Sequence, residues 1–195
     1  MFRSYRNLSL VNCTLKFIFG ILGLTSLLMF SSCDKRSTLK RRIKREVTKM
    51  VDRPLNLSFK VDEVWKDTIV NDASFPDDCY RIVTFIPVKS CTKCVMKVIP
   101  VLDSIRAEMN KNERTKLIVI TDANVSEVQK VLSELNVNSQ VYIDKEGVYL
   151  KNNNMTNVLD RNKTLLIDNL GKIVLVGEPY YNPDMKKLYL SVVSK

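Results

Sequence analysis

The spacing of apolar residues changes along the chain, and each change predicts an element. Residues 17–30, FIFGILGLTSLLMF, are almost continuously apolar, whereas residues 34–53 are dominated by Lys and Arg. Residues 55–78 hold LNLSFKV, Trp65 and the turn-forming NDASFPDD, and predict a short accessory strand or hairpin. YRIVTFI (80–86) and LIVIT (117–121) are short β-rich apolar runs of the kind buried in a parallel sheet. Between them, CVMKVIPVLDSIRAEM places Val95, Val98, Ile99, Leu102, Ile105 and Met109 at helical spacing, with Pro100 set to kink the helix.

SEVQKVLSELN repeats the helical pattern with Val128, Val131, Leu132 and Leu135 on one face, and Asp122 or Asn124 can cap it. QVYID predicts a third strand and EGVYLKNNN a short helix. TLLIDNLGKIVLVG reads as two strands joined by a tight Asn–Leu–Gly turn, an antiparallel hairpin, and Pro183 opens a last helix, DMKKLYLSVV. The order β-α-β-α-β-α-β-β-α predicts an α/β domain over residues 55–195, with a mixed central sheet and helices on both faces.

Composition adds a leader to this domain. The 195 residues and 45% hydrophobic content suit one globular domain with a leader. Arg3, Arg6 and Lys16 precede the apolar run, whose length fits a cleaved export signal and is short for a spanning helix of about 20 residues. The run ends in FSSCD. Ser31 and Ser32 before Cys33 resemble a bacterial lipoprotein lipobox, most like the loose form common in Bacteroidetes, with Phe30 where a smaller aliphatic residue is usual. The resemblance implies a signal peptide over 1–33, a lipidated Cys33 and loss of Cys13; an uncleaved signal anchor is the alternative.

Charge then separates tether from domain. Of the net +10, residues 1–33 carry +3 and residues 34–53 carry +6, leaving +1 for 54–195. A nucleic-acid binder would carry its positive charge on the folded part, so no nucleic acid is expected as partner. Residues 34–54 instead predict a basic tether helix that sits beside the anchor and is attracted to anionic headgroups, or is merely solvated.

The chain has no histidine, which excludes Cys–His and Ser–His pairs and histidine-containing metal sites. The chemistry left standing centres on PVKSCTKCVMK, where Cys91 and Cys94 form a Cys-x-x-Cys between a strand and a helix. Such a pair can be a redox dithiol, a structural disulfide, or half of a metal site. A structural zinc needs four ligands and Cys79 is the remaining thiol after processing, so no metal or other cofactor is expected. Cys79 and Cys91 flank an extended run of about 23 Å and should not pair.

A Cys-x-x-Cys at the end of the first main strand and the start of the first main helix resembles the thioredoxin fold. TLLIDNLGKIVLVG is similar to the hairpin of thioredoxin-like proteins related to the TlpA and AhpC/TSA groups. VGEPYYNP and the short last helix are most like thioredoxin-like lipoproteins of Bacteroidetes. The resemblance spans about residues 55–195. It implies that Cys91 is the nucleophile, made a thiolate by the helix start and by Lys89 and Lys93, and that Cys94 is the resolving thiol. Ser90 stands where active thioredoxins usually have Trp. The place of their cis-proline falls at Asn162, followed by Lys163, and a cis bond before a non-proline costs roughly 3 kcal/mol, so this loop is expected trans or rearranged.

Two functions are compatible with these residues. One is a membrane-anchored, envelope-facing thiol–disulfide oxidoreductase acting as a monomer on thiols or disulfides of envelope proteins. The other is a redox-inactive thioredoxin-fold lipoprotein that binds a protein partner. Trp65, Tyr180 and Tyr181 are expected in core or rim packing, Asp122, Asp144 and Asp168 as caps, and Asn152–Asn154 as a solvated loop.

Overall fold

A computed structural model describes residues 36–87, 92–109, 115–137 and 139–193. The chain divides into two compact units, Met1–Arg45 and Glu46–Lys195. Residues 36–50 are helical (α1), and the turn from Glu46 onward belongs to the second unit. That unit continues with β1 (Val61–Val64), β2 (Ile69–Ala73), β3 (Tyr80–Ile86), α2 (Thr92–Met96), α3 (Val98–Met109) and β4 (Thr115–Thr121). α4 (Val125–Glu134), β5 (Val141–Ile143), α5 (Val148–Asn152), a 3-10 turn (Asp160–Asn162), β6 (Thr164–Ile167), β7 (Ile173–Val176) and α6 (Pro183–Val193) complete it.

The strands form one mixed sheet in the order β2-β1-β5-β4-β3-β6-β7. β3 pairs parallel with β4 from Tyr80↔Thr115 to Ile86↔Thr121, and β4 pairs parallel with β5. β6 runs antiparallel to β3 and β7 antiparallel to β6. The residues predicted to form an accessory hairpin are β1 and β2, which extend the sheet antiparallel beyond β5.

Continuous apolar runs arise because the central strands are buried on both sides. Ile82, Leu117, Val119, Val141, Ile143 and Leu166 face one layer, covered by Ile99, Leu102 and Ile105 of α3, Val128 and Leu132 of α4 and Tyr189 of α6. Their sequence neighbours Val83, Phe85, Ile118, Ile120, Tyr142 and Leu165 face the other. Tyr149 of α5, Met155, Phe75 and Met50 of α1 cover that second layer. Residues 52–55 follow α1 along β7: the Asp52 and Leu55 amides donate to Ile173 and Gly171, and Ile173 donates back to Arg53.

Three local expectations are corrected. The helix after the cysteines is two helices, interrupted at Lys97. Pro100 lacks an amide hydrogen and its ring crowds the preceding turn, so the break falls one turn before it. Asn124 occupies the N-cap of α4, but its side chain makes no capping hydrogen bond. Asn153 is more than a solvated loop residue: its side chain exchanges hydrogen bonds with the Asn56 backbone at 2.7 and 2.9 Å. Asp144 and Asp168 do cap, accepting from Val148 and Tyr149 and from Leu170 and Lys172 respectively.

Candidate functional site

The sheet brings the C-terminal end of β3 next to the α2 region, and Cys94 lies there. Cys94 is exposed, in the middle of α2, and disulfide-bonded. Cys91, Lys89 and Ser90 lie outside the described residues, as do Cys33 and the rest of residues 1–35. α2 ends after five residues. Any dipole at its start is therefore that of a single short turn, not of the long helix expected from the sequence.

α2 is fastened to α4 by its polar side chains. The Thr92 hydroxyl donates to Glu127 Oε2 at 2.8 Å, and Lys93 Nζ pairs with Glu134 Oε2 at 2.7 Å. The hydrogen bond and the charge of Lys93 hold the Glu134 carboxyl below its ordinary range. Lys93 thus spends its charge on α4.

A cleft of about 300 Å³ opens beside Cys94. Phe85 and Ile86 at the end of β3 and Val95 and Val98 from the helices give it apolar walls. Across from them stand Glu178, Tyr180 and Tyr181 from the segment between β7 and α6, and Asp160 of the 3-10 turn. The Tyr180 hydroxyl donates to Glu178 Oε1 at 2.8 Å; burial first, then this bond, raise its pKa and keep it protonated. Tyr181 packs edge-on against Tyr180 with centroids 4.6 Å apart, yet remains 76% exposed.

The loop at the place of the cis-proline is trans at Asn162, as its residues predict. No cis peptide bond occurs among the described residues. Asn162 is 2% exposed and absent from the cleft walls: its Nδ2 donates to Glu46 Oε2 at 2.8 Å. The same oxygen accepts the Leu159 amide at 3.0 Å. Lys163 is buried, pairs with Asp160 at 3.0 Å and lies 5.4 Å above the Phe85 ring. Asp160 is therefore the residue of this loop that reaches the cleft. Sequence reasoning missed Asp160, Glu178 and the Glu46 tie, because each depends on a contact far along the chain.

Cys79 lies at the opposite end of β3, free and half-buried, as its separation from Cys91 predicts. Burial pushes its thiol pKa up, against the pull of Arg81. A larger cavity of about 540 Å³ sits at that end around Arg81, Phe59 and Phe75. Arg81 is already engaged there, donating to the Pro76 carbonyl, to Asp77 and to the Asp168 carbonyl. That cavity holds no disulfide, so the smaller cleft is the site of interest despite its size. Among the described residues, no group of three or more Cys, Asp or Glu side chains is placed to hold a metal ion.

This architecture is found in solved structures. A thioredoxin-like protein from Porphyromonas gingivalis superposes with a TM-score of 0.51 at 14% identity, covering 74% of this chain and 94% of its own. AhpC from Enterococcus faecalis gives 0.54 at 13% identity over 74% and 92% of the two chains. A candidate thiol–disulfide oxidoreductase from Bacteroides vulgatus gives 0.51 at 12% identity over 71% and 89%. No family model and no curated protein matches the sequence. The chain has a thioredoxin-like fold.

Proposed function

We propose that the protein is a thioredoxin-like thiol–disulfide oxidoreductase of the cell envelope, anchored by lipid on Cys33. The observation that carries the reading is a disulfide-bonded, exposed Cys94 beside an apolar cleft in a thioredoxin-like fold. Cys91 is assigned as its partner. In the reducing direction, the Cys91 thiolate attacks a substrate disulfide and expels one substrate thiolate. Cys94 then attacks the mixed disulfide, releases the second thiolate and closes the Cys91–Cys94 bond. Two electrons pass to the substrate, and a dithiol donor must restore them; the reverse sequence oxidises substrate thiols. The substrates are proteins of the envelope, met by a monomer held near the membrane by the basic residues 34–53. The assignment of a lipid anchor rests on Ser31, Ser32 and Cys33 at the end of the apolar run; among the described residues no helix is long and apolar enough to cross a membrane.

A redox titration of the protein in thiol–disulfide buffers tests the central claim. A reversible two-electron transition between roughly −120 and −270 mV is the expected result. A disulfide still closed below about −300 mV is a structural staple and overturns it, leaving the binding-module reading. The roles are tested by alkylation of the reduced protein at neutral pH: Cys91 should react before Cys94, and the reverse order exchanges the assignments. For the anchor, Cys33→Ala should accumulate an unprocessed precursor, and normal maturation would refute it.

A further inference from the structure

The cleft beside Cys94 carries an uncommitted charge in one place. Glu178 is half-buried on its rim and accepts the neutral Tyr180 hydroxyl; no Lys or Arg pairs with it among the described residues. The second carboxylate, Asp160, is already matched by Lys163. The exposed ring of Tyr181, packed against Tyr180, lines the same cleft, as do Phe85, Ile86, Val95 and Val98. An exposed aromatic ring in one cleft with a lone carboxylate is an arrangement that receives a cation, by charge from the one and by the ring quadrupole from the other. The apolar walls suit a hydrophobic side chain.

We propose that the cleft docks a polypeptide segment of the substrate in which a Lys or Arg lies within a few residues of the reactive cysteine. Glu178 and Tyr181 receive the cation, and the apolar walls take an apolar neighbour. Acidic segments are disfavoured because they set a like charge against Glu178 in a partly desolvated cleft. This inference rests on the exchange reading for its biological sense, but its physical content is a binding preference that can be measured separately. Since residues 54–195 carry only +1 net, the preference is a local property of the rim and not of the overall field.

The test uses synthetic peptides identical but for Lys, Gln or Glu next but one to a cysteine held as its mixed disulfide with glutathione. Reduced protein converts each to peptide thiol and glutathione while closing its own disulfide, which balances the two electrons. The Lys peptide is expected to react about tenfold faster than the Glu peptide at low salt, a spread that shrinks as ionic strength rises. Glu178→Gln should collapse the spread within one protein, and Glu178→Lys should invert the order. Equal rates for all peptides, or a spread unchanged in Glu178→Gln, overturns the proposal. The same peptides with Ser for Cys, followed by fluorescence anisotropy, separate the two readings. Lys-selective binding without exchange leaves this inference standing and removes the oxidoreductase, while exchange without charge preference does the opposite.

Discussion

Glu46→Ala removes a carboxylate one oxygen of which two donors share. Oε2 of Glu46 accepts the Leu159 amide at 3.0 Å and Asn162 Nδ2 at 2.8 Å. Asn162 is 2% exposed, so its amide cannot turn to bulk water when that oxygen is gone. A hydrogen bond to a charged acceptor contributes about 1.5–3 kcal/mol, and a buried donor left unmatched costs about 1–3 kcal/mol. Because the two bonds share one acceptor they do not add fully, and the expected loss is about 2–4 kcal/mol. For a unit of the size of Glu46–Lys195, each kcal/mol moves Tm by about 2–4 °C. The variant should therefore melt about 4–16 °C lower, followed by far-UV circular dichroism. Glu46→Gln keeps an oxygen in place without the charge and should recover much of the loss. Glu46 has other contacts as well, so a double-mutant cycle with Asn162→Ala isolates the pair. A coupling of about 1–2 kcal/mol is expected, and additivity within about 0.5 kcal/mol would refute the reasoning. The consequence for the site is direct: the turn held by Glu46 carries Asp160 to the cleft wall.

The remaining predictions are smaller in scale. Because burial raises the Cys79 pKa, its alkylation at neutral pH should be slower than that of an exposed cysteine and should rise only at more alkaline pH. The sign for stability follows: the folded state holds this proton more tightly, so the contribution is present below the unfolded thiol pKa and is lost as pH rises through the folded one. Cys79→Ser should flatten that alkaline decline. Gly177 has φ +135°, and an added Cβ would stand 2.9 Å from Met185 Cε. Gly177→Ala is expected to cost about 1–3 kcal/mol in urea unfolding, chiefly from the backbone, because the Met185 tip can move. Lys93→Ala removes the exposed pair with Glu134 and should change stability little, and less still at high salt. A larger loss would mean that Lys93 does more than fasten α2 to α4.

Much of the fold was legible in the sequence because each element reports its surroundings through its own periodicity. YRIVTFI and LIVIT read as doubly buried strands, and they became the parallel centre of the sheet, β3 beside β4. The helical stripes at Ile99–Leu102–Ile105 and Val128–Val131–Leu132 likewise reached the core in the expected register. Asn–Leu–Gly marked the β6–β7 hairpin, and the strand–Cys-x-x-Cys–helix order pointed to the thioredoxin-like fold. Local chemistry held at one position, where a kink was expected, and misled at another. The break at Lys97 is Pro100 acting a turn upstream, and Asn124 stands at a cap without bonding it.

The sequence by itself determined which faces of the strands and helices are apolar, where the two alternate, and that Cys94 falls at the strand–helix junction after β3. Only the tertiary structure decided what surrounds that junction. Glu46 bonds a loop 116 positions away, and Glu178 and Tyr181 meet Val95 and Val98 across the cleft because β6 and β7 return antiparallel beside β3. Periodicity records how a residue faces its own helix or strand. It carries no term for which distant segment the folded chain lays against it, and Asp160, Glu178, Tyr180 and Tyr181 reach the cleft by such encounters.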